Sequence, residues 1–346
     1  MRLRRLFPVL LSAAVLAAAP ARAADMTAQE AQLYEAAKPE RELTWYVAQF
    51  SSQSVERVAR AFATRYPGLE VKGVRTTGQV AFARLTQDLR AGQPQCDVLS
   101  TTDVGHVVQL KKEGLLQRVS PENAHKVDPA YRNMDPDGFF HATAANPTII
   151  IYNTKLVKEA DAPKNWPDLL DPKWSGKVAL AHPGYSGSMG SWVVLMDKLY
   201  GWQFFEKLEK LDPHIGRSLN DPSTVLIAGE RAVGISGLGI AVQNKQAGNP
   251  IGIVYPTDGA KLTLHPSAVL TSARHPNAAK LFLDYMLSVE FSEVMLKDGQ
   301  QPLRPEVPPP EGALPISQIK VAAVSEEEVT AGVPAIIEMW RETFDR

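Results

Sequence analysis

Leu43-Thr44-Trp45-Tyr46-Val47 is a short apolar run of strand type, and Val55, Val58, Ala59 and Phe62 then recur at i, i+3, i+4 and i+7. That spacing predicts an amphipathic helix, which Pro67-Gly68 ends. The pair then repeats: a strand over Leu69 to Val74, a helix over Val80 to Arg90, a strand over Cys96 to Ser100, and a helix over Val104 to Glu113 stopped by Gly114. Strands that alternate with helices of this length form a parallel sheet with helices on both faces, so the fold class is α/β.

Beyond this unit the pattern restarts. Pro147-Thr148-Ile149-Ile150-Ile151-Tyr152 reads as a continuous apolar strand and as the crossing into a second lobe. Strands are expected over Val178 to Leu180 and Ala232 to Ser236, with helices over Met189 to Leu199, Trp202 to Leu211 and Thr224 to Gly229. Ile251 to Tyr255, before Pro256, reads as the return crossing. A helix with proline in its first turn runs from Pro276 to Leu287. Pro302 to Pro315 holds six prolines and reads as an irregular wrap before a last helix over Val333 to Phe344. The expected division is residues 24–145 with 257–300 as lobe 1, 146–256 as lobe 2, and 301–346 as wrap and closing helix.

Residues 1–23 read as an export signal. Arg2, Arg4 and Arg5 precede an apolar run from Leu6 to Ala19, and Ala21-Arg22-Ala23 offers small residues where an export peptidase reads. The run is shorter than the ~20 residues of a bilayer span, so a soluble, periplasmic chain beginning near Ala24 is expected. Its compartment is poor in ATP and nicotinamide cofactors, which favours binding and hydrolysis as functions. A mature chain of about 323 residues exceeds one core's usual size and suits two lobes. Removing the four leader arginines takes the formal net charge from −1 to −5, which offers no basic surface for nucleic acid. The single cysteine, Cys96, sits in an expected strand and reads as a small buried hydrophobe.

The segment from His182 to Ser191 lies between a strand and a helix and includes Gly184, Ser186, Gly187 and Ser188. Small residues admit a ligand close to the backbone, and the free N–H groups of a helix start attract an anion. One serine acting as a plain helix cap is the competing reading. Small polar clusters also follow other strands: Gln49 to Gln53, Thr76 to Gln79, Ser100 to Asp103 and Ser236 to Gly239. In open α/β sheets such loops converge beyond the carboxyl ends of the strands. Arg75 stands where it could pair with a carboxylate or phosphate, or lie solvated.

The chain resembles the periplasmic solute-binding proteins of ABC importers, in the cluster that includes ferric-ion, phosphonate, sugar-phosphate and polyamine binders. The residues that carry the resemblance are Asn146 to Thr154, Trp166 to Val178, Gly184 to Ser188, Ala228-Gly229-Glu230, and His275 to Lys280. It spans about Glu42 to Phe344, and Trp166 to Val178 is its most specific part. The resemblance implies a type II two-lobed fold: each lobe a mixed, mostly parallel sheet flanked by helices, joined by two extended crossovers, closing on a ligand. It also implies that Ser186, Gly187 and Ser188 match the loop that holds a phosphate-like anion, and Asn220 a neighbouring donor. In the ferric branch iron is held chiefly by two adjacent tyrosines after the strand that here leads into Gly237-Leu238-Gly239; neither is present, and no metal and no cofactor are expected.

The expected function is capture of a small anionic solute, a phosphonate, phosphorylated compound or organic carboxylate, and its delivery to an inner-membrane ABC permease. Rocking about crossovers near Asn146-Pro147 and Tyr255-Pro256 would close the lobes. Ser186, Gly187 and Ser188 would hold the anion from the second lobe; Arg75, Thr77, Gly78 and Thr102 from the first; Ser52 and Gln53 would read the rest. Ser236 and Tyr255 complete the candidate set. A monomer without catalytic residues or nucleic-acid binding is expected. A ferric-ion binder with a synergistic anion is the alternative. An exported hydrolase is the third reading, because Ser186 to Gly190 falls one glycine short of a nucleophile elbow and Asp221 and His265 follow in the required order. Gly237-Leu238-Gly239 lacks the third glycine of a dinucleotide loop, with Val242 in its place, and no repeats or long alternating strands suggest an adhesive role.

Overall fold

The run around Trp45 becomes strand β1 (Glu42–Val47), and its side chains are buried on both faces. Trp45 packs with Phe62 and Phe282 on one side, whereas Tyr46 joins Leu85, Leu99 and Val107 on the other. A parallel strand between two helical layers buries both faces in this way. The computed structural model describes residues 26–344, so the expected export signal lies outside the described residues.

Helix α1 (Ala28–Ala37) precedes β1; α2 (Ser52–Arg65), β2 (Glu70–Arg75), α3 (Gly78–Arg90), β3 (Val98–Ser100) and α4 (Val104–Lys112) follow it. This is the alternation read from the sequence. The long strand β4 (His141–Asn153) then leads to β5 (Val178–Ala181), α5 (Gly187–Tyr200), α6 (Gln203–Glu209), β6 (His214–Gly216), α7 (Asp221–Ile227), β7 (Val233–Gly237), α8 (Leu238–Gln246) and β8 (Ile251–Val254). Strand β9 (Lys261–Val269) returns, and α9 (Pro276–Tyr285), α10 (Val289–Leu296) and α11 (Glu326–Phe344) complete the described chain.

Among the described residues the strand order is β2-β1-β3-β9-β4-β7-β5-β6, with β8 also on β4. Strands β2, β1 and β3 are parallel, as are β7, β5 and β6. The long antiparallel pair β4 and β9 links these two halves. Ile251–Val254 pairs with Ile150–Asn153 and so stays with the second half; the strand that runs back beside β4 is β9, one strand later than the sequence pattern suggests. A buried polar chain ties the crossing strands together: Trp45 Nε1 donates to Ser100 Oγ at 2.8 Å, and Ser267 Oγ lies 2.5 Å from Ser100 Oγ and 2.6 Å from Thr143 Oγ1.

The second half has its own two cores. Ile150 faces Trp166, Trp192, Phe205 and Trp340, whereas its neighbours Ile149 and Ile151 face Leu226, Leu238 and Val242. Trp192, Phe204 and Phe205 are therefore core residues. Half-buried Trp202 donates its indole N–H to Thr343 in α11 at 3.0 Å. Cys96 is buried and its thiol is pushed up by the absence of solvent, which makes it inert.

Candidate ligand-binding cleft

The carboxyl ends of β1, β2 and β3 and the N-terminal ends of α5 and α7 face one cleft, whose floor comes from the crossing strands. The first half supplies Gln49, Ser51, Ser54, Arg75, Thr77, Gly78 and Thr102; the second supplies Tyr185, Ser186, Ser188, Ser218 and Asn220; Asn146, His265 and Gln300 lie at the base. The cavity at its base is narrow, with a volume of ≈ 50 Å³. The two sides touch above it, because a Cβ at Gly187 would stand 2.4 Å from the Thr102 carbonyl oxygen and 2.7 Å from Asp103 Cβ. Gly78 is similarly close to the first-half wall, with Thr102 Oγ1 3.0 Å from where its Cβ would be.

Helix starts shape both walls. Ser186 is the N-cap of α5 and its Oγ accepts from the Met189 N–H at 3.4 Å, so cap and cleft wall are the same residue. Thr77 precedes α3 without a side-chain capping bond, and its hydroxyl is buried with no partner among the described residues. Both amide atoms of Gln49 are in the same condition.

Arg75 is the only Lys, Arg, Asp or Glu in the lining. Its Nε donates to the Phe50 carbonyl at 3.1 Å, and among the described residues it makes no ion pair. Burial lowers its pKa, opposed by the nearby Asp221 carboxylate, and the guanidinium stays charged. A half-buried cation that makes no ion pair attracts an anion. His265 adds no charge: desolvation, aided by Lys261, pushes its imidazole down to about 3. Its Nε2 lies 3.1 Å from Ser188 Oγ, which fixes the serine hydroxyl in the cleft wall.

Seven of the residues expected at the site line this cleft together: Arg75, Thr77, Gly78, Thr102, Ser186, Ser188 and Asn220. Gly187 stands at the contact above it. Ser52 and Gln53 stand elsewhere, exposed on the outer side of the first turn of α2. Ser51 and Ser54, one helical turn apart and 2.8 Å from each other, take the inner side instead. Ser236 is buried behind the wall, where its hydroxyl donates to the Leu219 carbonyl at 2.8 Å. The Tyr255 hydroxyl accepts from the Leu314 N–H at 3.0 Å, on the wrap rather than the cleft. Gln49, Asn146, His265 and Gln300 were not read as ligand contacts from sequence. Gln49 opens a cluster that was noticed, but the other three come from the crossing strands and the segment after α10.

Ser188 and His265 meet as a hydrolase would require, yet the third member is elsewhere. Asp221 accepts from the Arg217 and Ser218 N–H groups at 2.6 and 3.1 Å, and His265 Nδ1 has no hydrogen-bond partner among the described residues. The orienting carboxylate of a catalytic triad is not in place. Among the described residues no three His, Cys, Asp or Glu side chains cluster as metal ligands.

Two α/β halves joined by long antiparallel strands, meeting over a polar cleft lined by a single cation, define a two-lobed solute-binding protein. The chain matches the family of bacterial extracellular solute-binding proteins over residues 94–318, and it belongs to that family. A relative from Sinorhizobium fredii, named as a probable ABC transporter periplasmic-binding protein, is 26% identical over 272 residues, 74% of each chain. A Salmonella typhimurium periplasmic protein, named provisionally for 2-aminoethylphosphonate binding, is 25% identical over 278 residues, covering 77% of this chain and 76% of that one. Among solved structures, the periplasmic binding protein AfuA of Actinobacillus pleuropneumoniae, with fructose-6-phosphate bound, superposes with a TM-score of 0.78 at 22% identity, covering 88% of this chain and 98% of that one. At that identity the likeness speaks for the fold alone.

Proposed function

We propose that this protein captures a small anionic solute, a phosphonate, phosphorylated compound or organic carboxylate, between its lobes and delivers it to an inner-membrane ABC permease. The observation that carries the reading is the charge of the lining: one cation, Arg75, and no carboxylate. The free N–H groups at the start of α5, the Ser188 hydroxyl and the unpaired Thr77 hydroxyl supply neutral donors around it. A polyamine would need the opposite lining. The names of the Sinorhizobium and Salmonella relatives support an ABC importer and a phosphonate-like solute. The protein acts in the periplasm as a monomer, without nucleic acid, after cleavage near Ala23 and Ala24. Lobe 1 comprises residues 24–145 and 257–300, and lobe 2 residues 146–256. The ferric reading has less support, because Tyr185 is the only tyrosine of the lining and no acidic ligand joins it.

Calorimetric titration of anions into Arg75→Gln and into the Ser186→Ala, Ser188→Ala double variant tests this. A charge-assisted hydrogen bond contributes ~1.5–3 kcal/mol, so Arg75→Gln should weaken the solute about 10- to 100-fold, and the serine pair by a similar factor. Unchanged affinity in both proteins would refute the anion cradle.

A further inference from the structure

Gln49 leaves β1 at the point where the first lobe faces the cleft. Its amide oxygen and nitrogen are both shielded from solvent, and neither has a hydrogen-bond partner among the described residues. A buried primary amide offers one acceptor and two donors, and leaving them unmet is costly. A ligand hydroxyl satisfies both kinds, and a carbonyl satisfies the donors. An ammonium could meet only the oxygen, and its charge would find no carboxylate in the lining, whose one charge, Arg75, has the same sign. Aromatic faces give it no refuge either. The Tyr185 ring already carries the Arg217 guanidinium at 4.9 Å, and the Phe50 ring packs against Trp45 and Phe291.

We infer that the solute joins its anionic group to an uncharged hydroxyl- or carbonyl-bearing head seated on Gln49, and that close analogues carrying a free ammonium are rejected. This rests on the anion reading above and adds the chemistry of the other end.

Calorimetry with matched pairs tests it: 2-hydroxyethylphosphonate against 2-aminoethylphosphonate, and 3-hydroxypropionate against β-alanine, with ethylphosphonate, propionate and inorganic phosphate as headless anions. In at least one pair the hydroxyl member should bind about tenfold or more tighter than both its amine and its headless counterpart. An amine that equals or exceeds its hydroxyl partner overturns this inference and leaves the anion reading intact. No binding by any of the anions overturns both. Gln49→Glu keeps the side chain's shape and adds the missing carboxylate, so it should reverse the order within the pair. Gln49→Leu should lower the hydroxyl ligand to the affinity of the headless one. If both variants keep the parent's preference, the head does not sit on Gln49.

Discussion

Gly187 is where the two lobes meet, and the contact leaves no room for a side chain. A Cβ there would overlap the Thr102 carbonyl, whose oxygen and carbon would stand 2.4 and 2.6 Å away. Backbone on both sides of the clash means that neither neighbour can swing aside. The three atoms nearest to that Cβ all belong to the first lobe, so Gly187→Ala should fold normally and fail to close. Solute affinity should fall about 100-fold or more, with the ligand-free melting temperature within ~2 °C of the parent's. Calorimetry and small-angle scattering with and without solute would check this; a variant that still compacts on binding refutes the contact as a closing stop. His265 gives the second prediction at this scale. Its imidazole is held neutral down to about pH 3 by burial, whereas in the unfolded chain it protonates near its ordinary value of ~6.5. Between those values the unfolded chain binds the extra proton, so the stabilisation is complete above pH 6.5 and is lost as pH falls. Burial lowers His106 and His141 in the same direction. From pH 7 to pH 5 the His265 contribution is about 2 kcal/mol. Urea unfolding of the parent and of His265→Asn at both pH values should show the variant losing about that much less; equal losses would show that the group is not held neutral.

Among the elements, β4 changes character along its length, and its proline marks where. From His141 to Thr148 it pairs with β9, and from Thr148 onward with β7, so Pro147, which has no N–H to give, falls where only one neighbour is present. Pro266 occupies the matching place in β9, opposite Ala142 and just before the Ser267 to Val269 pairing with β3 begins. The crossovers are thus the thinly paired parts of otherwise well-paired strands, a suitable place for a hinge. Hydrogen exchange should therefore be faster for amides at 141–144, before the Ala145 bridge to Gln301, than at Ile150 to Tyr152, which lie between β7 and β8; uniform protection along β4 would refute the hinge assignment. The same strands show what sequence reading can and cannot reach. The β1 to α4 alternation was legible because each element buries a face with its own periodicity. Strand β9 was not, since Leu262 and Leu264 alternate correctly but Lys261, His265 and Pro266 interrupt the apolar pattern. His265 is explained by the cleft and Pro266 by the hinge, which are tertiary features. Helix α8 begins directly at Leu238, without a capping side chain, so its glycines read as a loop. At the site, helix starts and strand ends betrayed Arg75, Thr77, Ser186 and Ser188. Asn146, His265 and Gln300 reach the same cleft through contacts that no local pattern encodes.

For the whole molecule, the closing helix α11 belongs to the second lobe's core although it follows the Pro-rich segment. Val329, Val333, Ile336 and Trp340 are buried with Trp192 and Phe205, and Trp340 stacks 4.1 Å from Phe344. The start of the same helix reaches the first lobe, where Thr330 Cγ2 would stand 3.7 Å from a Cβ at Gly105 in α4. One helix therefore supports one core and touches the lobe that must move against it. Burying four such side chains is worth roughly 1.5–3 kcal/mol each, about 6–12 kcal/mol as an upper estimate. That rivals the ~5–15 kcal/mol that holds a whole domain folded. A chain ending at Ser325 should consequently lose the cooperative unfolding of its second lobe while the first, whose Trp45, Phe62 and Phe282 cluster takes nothing from α11, still melts as a unit. Calorimetry should show one transition where the parent has a larger heat of unfolding, and fluorescence from Trp166 and Trp192 should shift to the red at temperatures where the parent is native. A truncated chain that keeps the parent's transition and blue emission would place the helix outside the core and leave the second lobe self-sufficient.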